Sequence, residues 1–92
     1  MAAIDTIRAK LRAREYEFAI PHFYEEMEND DLIFEDIRSA IETGAVRRKF
    51  THDPRGTRYE VVGRTTDGRL AAVICRIKTM GELLLITTYV VE

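Results

Sequence analysis

The stretch FEDIRSAIETGAVRRKFT, residues 34–51, decides the fold. In its first half Phe34, Ile37 and Ile41 recur at spacings of three and four, with Ala40 beside them. That is an apolar stripe on one side of an α-helix. In its second half Val46, Arg48 and Phe50 alternate with Arg47 and Lys49, the two-residue repeat of a β-strand. Gly44 lies at the change of period and is the expected helix stop, in the left-handed conformation that glycine adopts without steric cost. Asp31 is the candidate cap where this helix begins.

Toward the N-terminus the pattern stays helical. Ile4, Ile7 and Leu11 predict a helix over residues 1–17, with Arg8, Lys10, Arg12 and Arg14 largely off the stripe. Pro21 fits the first turn of a second helix, where its missing N–H costs nothing. That helix runs from His22 to about Asn29, with Phe23 and Met27 on one face. Toward the C-terminus the pattern stays extended. Strands are expected over Val46–Thr51, Arg58–Thr65, Leu70–Lys78 and Leu83–Val91. Turn signals separate them at Asp53-Pro54-Arg55-Gly56, Asp67-Gly68 and Gly81. The run Leu83-Leu84-Leu85-Ile86 is apolar on both faces, which suits a strand that is central or partly covered on both sides. The expected fold is α+β: N-terminal helices packed on one face of a four-stranded antiparallel sheet. It forms one domain over residues 1–92, with a helix and connection over 1–20, helices over 21–44 and the sheet over 45–92.

Composition bounds the function. The chain has 92 residues, 46% hydrophobic and 33% charged, with a formal net charge of −2. Disorder and a strongly basic nucleic-acid binder are both excluded on those totals, though a local basic patch is not. The charge is unevenly spread. Residues 1–44 carry five basic and eleven acidic side chains; residues 45–92 carry nine basic and five acidic. A cationic sheet suits an anionic ligand such as a phosphate backbone, and equally suits two halves that attract each other. Cys75 is the only cysteine, so no internal disulfide forms, and its apolar strand makes it a buried small hydrophobe. No window has the length of a membrane span or the apolar centre of a signal peptide, so a cytoplasmic protein without a membrane partner is expected.

Site candidates follow from strand parity. Arg58 and Arg64 share one face of the second strand, Arg76 and Lys78 one face of the third, and Glu60 stands among them. Four such cations repel unless an anion or carboxylate neutralises them. His22, in the first turn of its helix, is a candidate neutral base, or a helix-start histidine bonded to backbone. Tyr59 and Tyr89 could position a phosphate or a hydroxyl, or simply pack. His22, His52 and Cys75 are too scattered for a zinc site, and no glycine-rich phosphate loop occurs, so neither metal nor cofactor is expected.

From His22 onward the chain resembles an uncharacterised bacterial and archaeal family, domain of unknown function 4258, grouped by similarity with the RelE/ParE-type toxin superfamily. The residues that carry the resemblance are His22 with Met27, Leu32, Glu35-Asp36-Ile37 and Ala40-Ile41-Glu42-Thr43-Gly44. They continue with Arg58-Tyr59, Gly63, Asp67-Gly68-Arg69 and Ile86-Thr87-Thr88-Tyr89, about 70 residues in all. The resemblance implies a RelE-like fold and a toxin of a toxin–antitoxin pair, acting as a metal-independent endoribonuclease. It implies His22, Arg58, Arg76 and Tyr89 as catalytic residues, with Arg64 and Lys78 holding phosphate. The implied partners are a cognate antitoxin, RNA or the ribosome, and a second copy of the chain. Glu26 and Asp30 stand where such enzymes often carry basic residues, and Arg8, Arg12 and Arg14 could meet an acidic partner. Those features favour the alternative, a non-catalytic interaction domain of the same fold.

Overall fold

The computed structural model describes residues 2–91. The elements run α1 (Ala3–Arg12), β1 (Tyr16–Phe18), α2 (His22–Asn29), α3 (Phe34–Thr43), β2 (Ala45–Phe50), β3 (Arg58–Arg64), β4 (Leu70–Ile77) and β5 (Leu83–Val90). They form a mixed α+β fold with three helices and a five-stranded sheet of order β1-β5-β4-β3-β2. The four C-terminal strands are antiparallel to their neighbours as expected, but β1 adds a fifth, parallel to β5.

The expected first helix is therefore too long. It stops at Arg12, Arg14 takes φ 61°, and the chain reverses into β1. The Leu83 N–H then donates to the Glu15 carbonyl at 2.9 Å and the Ala19 N–H to the Leu85 carbonyl at 2.9 Å. Tyr16 and Phe18 point into an aromatic cluster, with Tyr16 stacked on Phe34 at 5.4 Å and Phe18 against Phe23 at 5.2 Å. Burying those rings outweighs the single turn of helix given up. It also makes β5 an interior strand of the sheet, with Leu83 and Leu85 buried under the helices and Leu84 and Ile86 half-buried on the other face.

All three helices lie on one face of the sheet. Ile7, Leu11, Phe23, Ile37 and Ile41 join Val61, Val73, Cys75, Leu83 and Leu85 in one buried core. Alpha3 presses closest. A Cβ on Gly63 would lie 2.0 Å from the Ala40 carbonyl oxygen, and one on Gly44 would lie 2.2 Å from that of Val62. Gly44 is thus required by backbone contact and not by a left-handed cap: its φ and ψ are −96° and −168°, extended backbone.

Asp31 does not cap α3 either; it sits at φ 53° in the preceding turn. The cap is Asp36, whose carboxylate accepts from the Ile33 N–H at 3.1 Å. Asp36 also accepts from the Thr66 N–H at 3.0 Å and the Thr66 hydroxyl at 2.6 Å, with the Arg69 guanidinium 3.7 Å away. Burial pushes the Asp36 carboxyl up, but the bonds from Thr66 and Ile33 outweigh it and hold the group below its usual range. Arg69 in turn donates to the carbonyls of Asp30 and Asp31 at 2.8 and 2.9 Å. This network fastens the α2–α3 turn to the β3–β4 hairpin.

Candidate anion-binding face

Among the described residues, no helix covers the opposite face of the sheet. Strand register sets its side chains in rows. One row reads Phe50, Arg58, Arg76, Leu84 and Glu17, from β2 across to β1; the next reads Arg48, Glu60, Ile74 and Thr87; a third ends in Val62, Ala72 and Tyr89. Arg58 and Arg76 are thus cross-strand neighbours, which sequence parity alone could not establish.

What holds two guanidinium groups side by side is Asp53, in the loop between β2 and β3. Its Oδ2 lies 3.1 Å from Arg58 Nε and 3.7 Å from Arg76 Nη1, and its Oδ1 lies 3.3 Å from Arg55 Nε. A tight turn places it. The Arg55 N–H donates to Asp53 Oδ1 at 2.9 Å and the Gly56 N–H to the Asp53 carbonyl at 3.0 Å. Gly56, at φ 123°, lies against the Arg76 side chain, 3.3 Å from its Cδ to a Cβ built there. The Arg55 backbone bond, opposed by burial and reinforced by the Arg55 and Arg58 guanidinium groups, holds the Asp53 carboxyl below its usual range. Three cations share this one carboxylate, leaving a local surplus of two positive charges. The Arg58 guanidinium also lies over the Phe50 ring, 5.0 Å from its centroid.

Beside this trio is a second carboxylate, Glu60, only 1% exposed although no helix covers it. Arg47 Nε donates to its Oε1 at 2.7 Å, Arg48 Nε lies 3.2 Å away, and the Tyr89 hydroxyl donates to its Oε2. The Arg47 bond, opposed by burial and aided by Tyr89, keeps the Glu60 carboxyl low; the bond to Glu60 and burial together push the Tyr89 phenol up. Tyr89 is therefore a protonated donor at neutral pH, oriented across the small Ala72 of β4.

Of the other sequence candidates, Lys78 lines a cleft with Arg55 and Arg76, while Arg64 and His22 lie elsewhere. Arg64 is on the same face but six residues along β3 from Arg58, about 20 Å at strand rise, and its Nη1 donates to the Gly68 carbonyl at 3.0 Å. Lys78 Nζ donates to Glu17 Oε1 at 2.5 Å. His22 begins α2, in the helical layer, with Glu26 4.0 Å away. Of the sequence candidates the structure thus brings together Arg58 and Arg76, with Lys78 beside Arg76 and Tyr89 on the same face.

Several charged side chains of the helical half make contacts within the fold. Arg8 donates to the carbonyls of Ile41 and Gly44 at 2.9 and 2.7 Å, and Arg12 makes a bidentate pair with Glu42. Asp30 accepts from the Val90 N–H at 2.7 Å. Cys75 is buried, and desolvation pushes its thiol up to about 12. Sequence reading missed Arg55 and Asp53 as site residues; the turn signal was visible, but not that the turn folds back onto β4.

The family model described as Domain of unknown function (DUF4258) matches residues 21–90. The chain belongs to this family. No curated protein and no solved structure matches it. The matched segment of this DUF4258 chain holds α2, α3 and the four antiparallel strands, and so contains the Asp53 and Glu60 clusters whole. Among the described residues, no helix is long and apolar enough to cross a membrane.

Proposed function

We propose that this chain is a RelE/ParE-like toxin-type domain that holds the phosphate backbone of RNA on its open sheet face. The observation that carries the reading is the pairing of Arg58 with Arg76 across β3 and β4, with Arg55 completing a trio around one carboxylate. An incoming phosphate shares or replaces Asp53 among groups already gathered, so little further repulsion is incurred on binding. In the cleavage chemistry of this reading, the 2′-hydroxyl of the held nucleotide attacks its own 3′-phosphate. The 5′-oxygen leaves and a cyclic phosphate remains. Arg58 and Arg76 stabilise the charge on the phosphate; water takes the proton of the 2′-hydroxyl, and Tyr89, the proton donor on that face, protonates the leaving 5′-oxygen and is reprotonated from solvent. His22 takes no part.

A second reading, a non-catalytic interaction domain, is favoured by the carboxylates. Arg47, Arg58, Arg76 and Lys78 each have an internal acidic neighbour, and Tyr89 is tied to Glu60. On this reading the face binds a partner without reacting. Induced expression in a bacterial host, with messenger RNA mapped for cleavage, separates the two. Growth arrest relieved by R58Q and R76Q, with cleavage ends bearing cyclic phosphate, supports the toxin. Normal growth and intact messenger RNA despite soluble expression overturn it.

A further inference from the structure

Two clefts flank Arg55. One is an open cleft of about 550 Å³ lined by Phe50, Thr51, His52, Pro54 and Arg58 together with Arg55 itself. The other, of about 180 Å³, is lined by Arg55, Arg76, Lys78, Thr79 and Met80. The first, which Lys49 and Asp53 also line, carries an aromatic ring beside a turn; the second has no ring and no carboxylate, and its charged groups are all cations. Their chemistries differ as the two ends of a nucleotide differ, and one arginine is shared between them.

We infer that the paired clefts form a site for a single unpaired nucleotide, its base in the Phe50 cleft and its phosphate in the Arg76–Lys78 cleft. This rests on the RNA-binding reading above and specifies it: the second cleft takes the nucleotide's 5′-phosphate while Arg58 and Arg76 together hold its 3′-phosphate, and only an unstacked base can enter the first.

Three features support the assignment. The volume of the larger cleft falls within the roughly 300–1,000 Å³ usual for small-molecule sites. Phe50 stands at the end of an edge strand with the Arg58 guanidinium against its ring, and aromatic and guanidinium planes are the surfaces on which unpaired bases stack. Arg55, held at its Nε by Asp53 Oδ1 at 3.3 Å yet 76% exposed, lines both clefts, so one guanidinium borders base and phosphate alike. Base recognition here is by stacking, so it discriminates nucleotide from sugar phosphate more than one base from another.

The test is titration of the isotope-labelled protein with adenosine 5′-monophosphate, ribose 5-phosphate and inorganic phosphate, followed by backbone amide shifts. The nucleotide is expected to move amides in both residues 50–55 and residues 76–79. It is expected to bind about 5-fold or more tightly than ribose 5-phosphate, the usual worth of one base on an aromatic ring. Phe50→Leu should erase that preference and Phe50→Tyr should keep it; if the Leu variant does not fold, the wild-type comparison decides. Equal affinities, or shifts confined to residues 76–79, overturn the base cleft and leave the phosphate reading standing. No shift with any of the three ligands at millimolar concentration overturns the inference, while the growth and cleavage assay still judges the RNA reading separately.

Discussion

Replacing Glu60 by Gln keeps the shape of the side chain and removes its charge. In the native protein that carboxylate is 1% exposed and accepts bonds from Arg47 and Tyr89, with Arg48 3.2 Å away. Two bonds to a charged acceptor have a gross worth of roughly 3–6 kcal/mol. Much of this is offset by the several kcal/mol that it costs to bury a carboxylate. The arginine side chains, 40% and 60% exposed, return readily to water. The expected net loss for Glu60→Gln at pH 7 is about 2 kcal/mol, and for a domain of this size that lowers Tm by roughly 8–16 °C.

The pH dependence is a stricter check. The carboxyl of Glu60 is held below its ordinary value. Its contribution is therefore present above the unfolded pKa, about 4.3, and lost as pH falls through the lower folded value. Urea unfolding of the wild type and Glu60→Gln should thus differ at neutral pH and converge on acidification. A double-mutant cycle with Tyr89→Phe should return a coupling of about 1 kcal/mol. Two variants alike within about 0.5 kcal/mol at pH 7, a threshold set by the usual error of such comparisons, would falsify the account of this network. A gap that persists unchanged through the acid range would refute it equally.

Gly63→Ala places a methyl 2.0 Å from the Ala40 carbonyl oxygen, and should cost about 3 kcal/mol or more as α3 is forced from the sheet; chemical denaturation measures it, and a loss below about 1 kcal/mol contradicts the packing. Cys75, with its thiol pushed up to about 12 by burial, should react with a thiol reagent only at the rate at which the protein opens, so native protein stays unlabelled where urea-unfolded protein labels at once.

Most of the fold was legible because its signals are local. The α3 stripe bounded a helix at Phe34–Thr43, and the alternating segments bounded β2 to β5 within a residue or two. Beta1 was not read, although Tyr16-Glu17-Phe18 alternates, because three residues are too few to break a helical pattern that continues through Arg12 and Arg14. Gly44 and Gly63 were visible as glycines, but their cause is contact between α3 and β3, which only tertiary structure reveals. The site divides in the same way. Parity placed Arg58, Glu60 and Arg64 on one face of their strand and Arg76 and Lys78 on one face of theirs, while the pairing of Arg58 with Arg76 and the distance of Arg64 from both depend on register. The roles of Asp53 and Arg55 depend on a loop that doubles back, and His22 depends on which layer α2 joins.

The central claim is that Arg58 and Arg76 act together on a phosphate backbone. Its most direct test is the affinity for a labelled single-stranded RNA, measured by fluorescence anisotropy across a series of salt concentrations. The wild type should bind with an affinity that falls steeply as salt rises, and R58Q and R76Q should each reduce the slope of log K against log salt by about 0.7, the value for one phosphate contact on a single strand. Slopes that match the wild type in both variants, or an absence of binding even at low salt, would contradict the account.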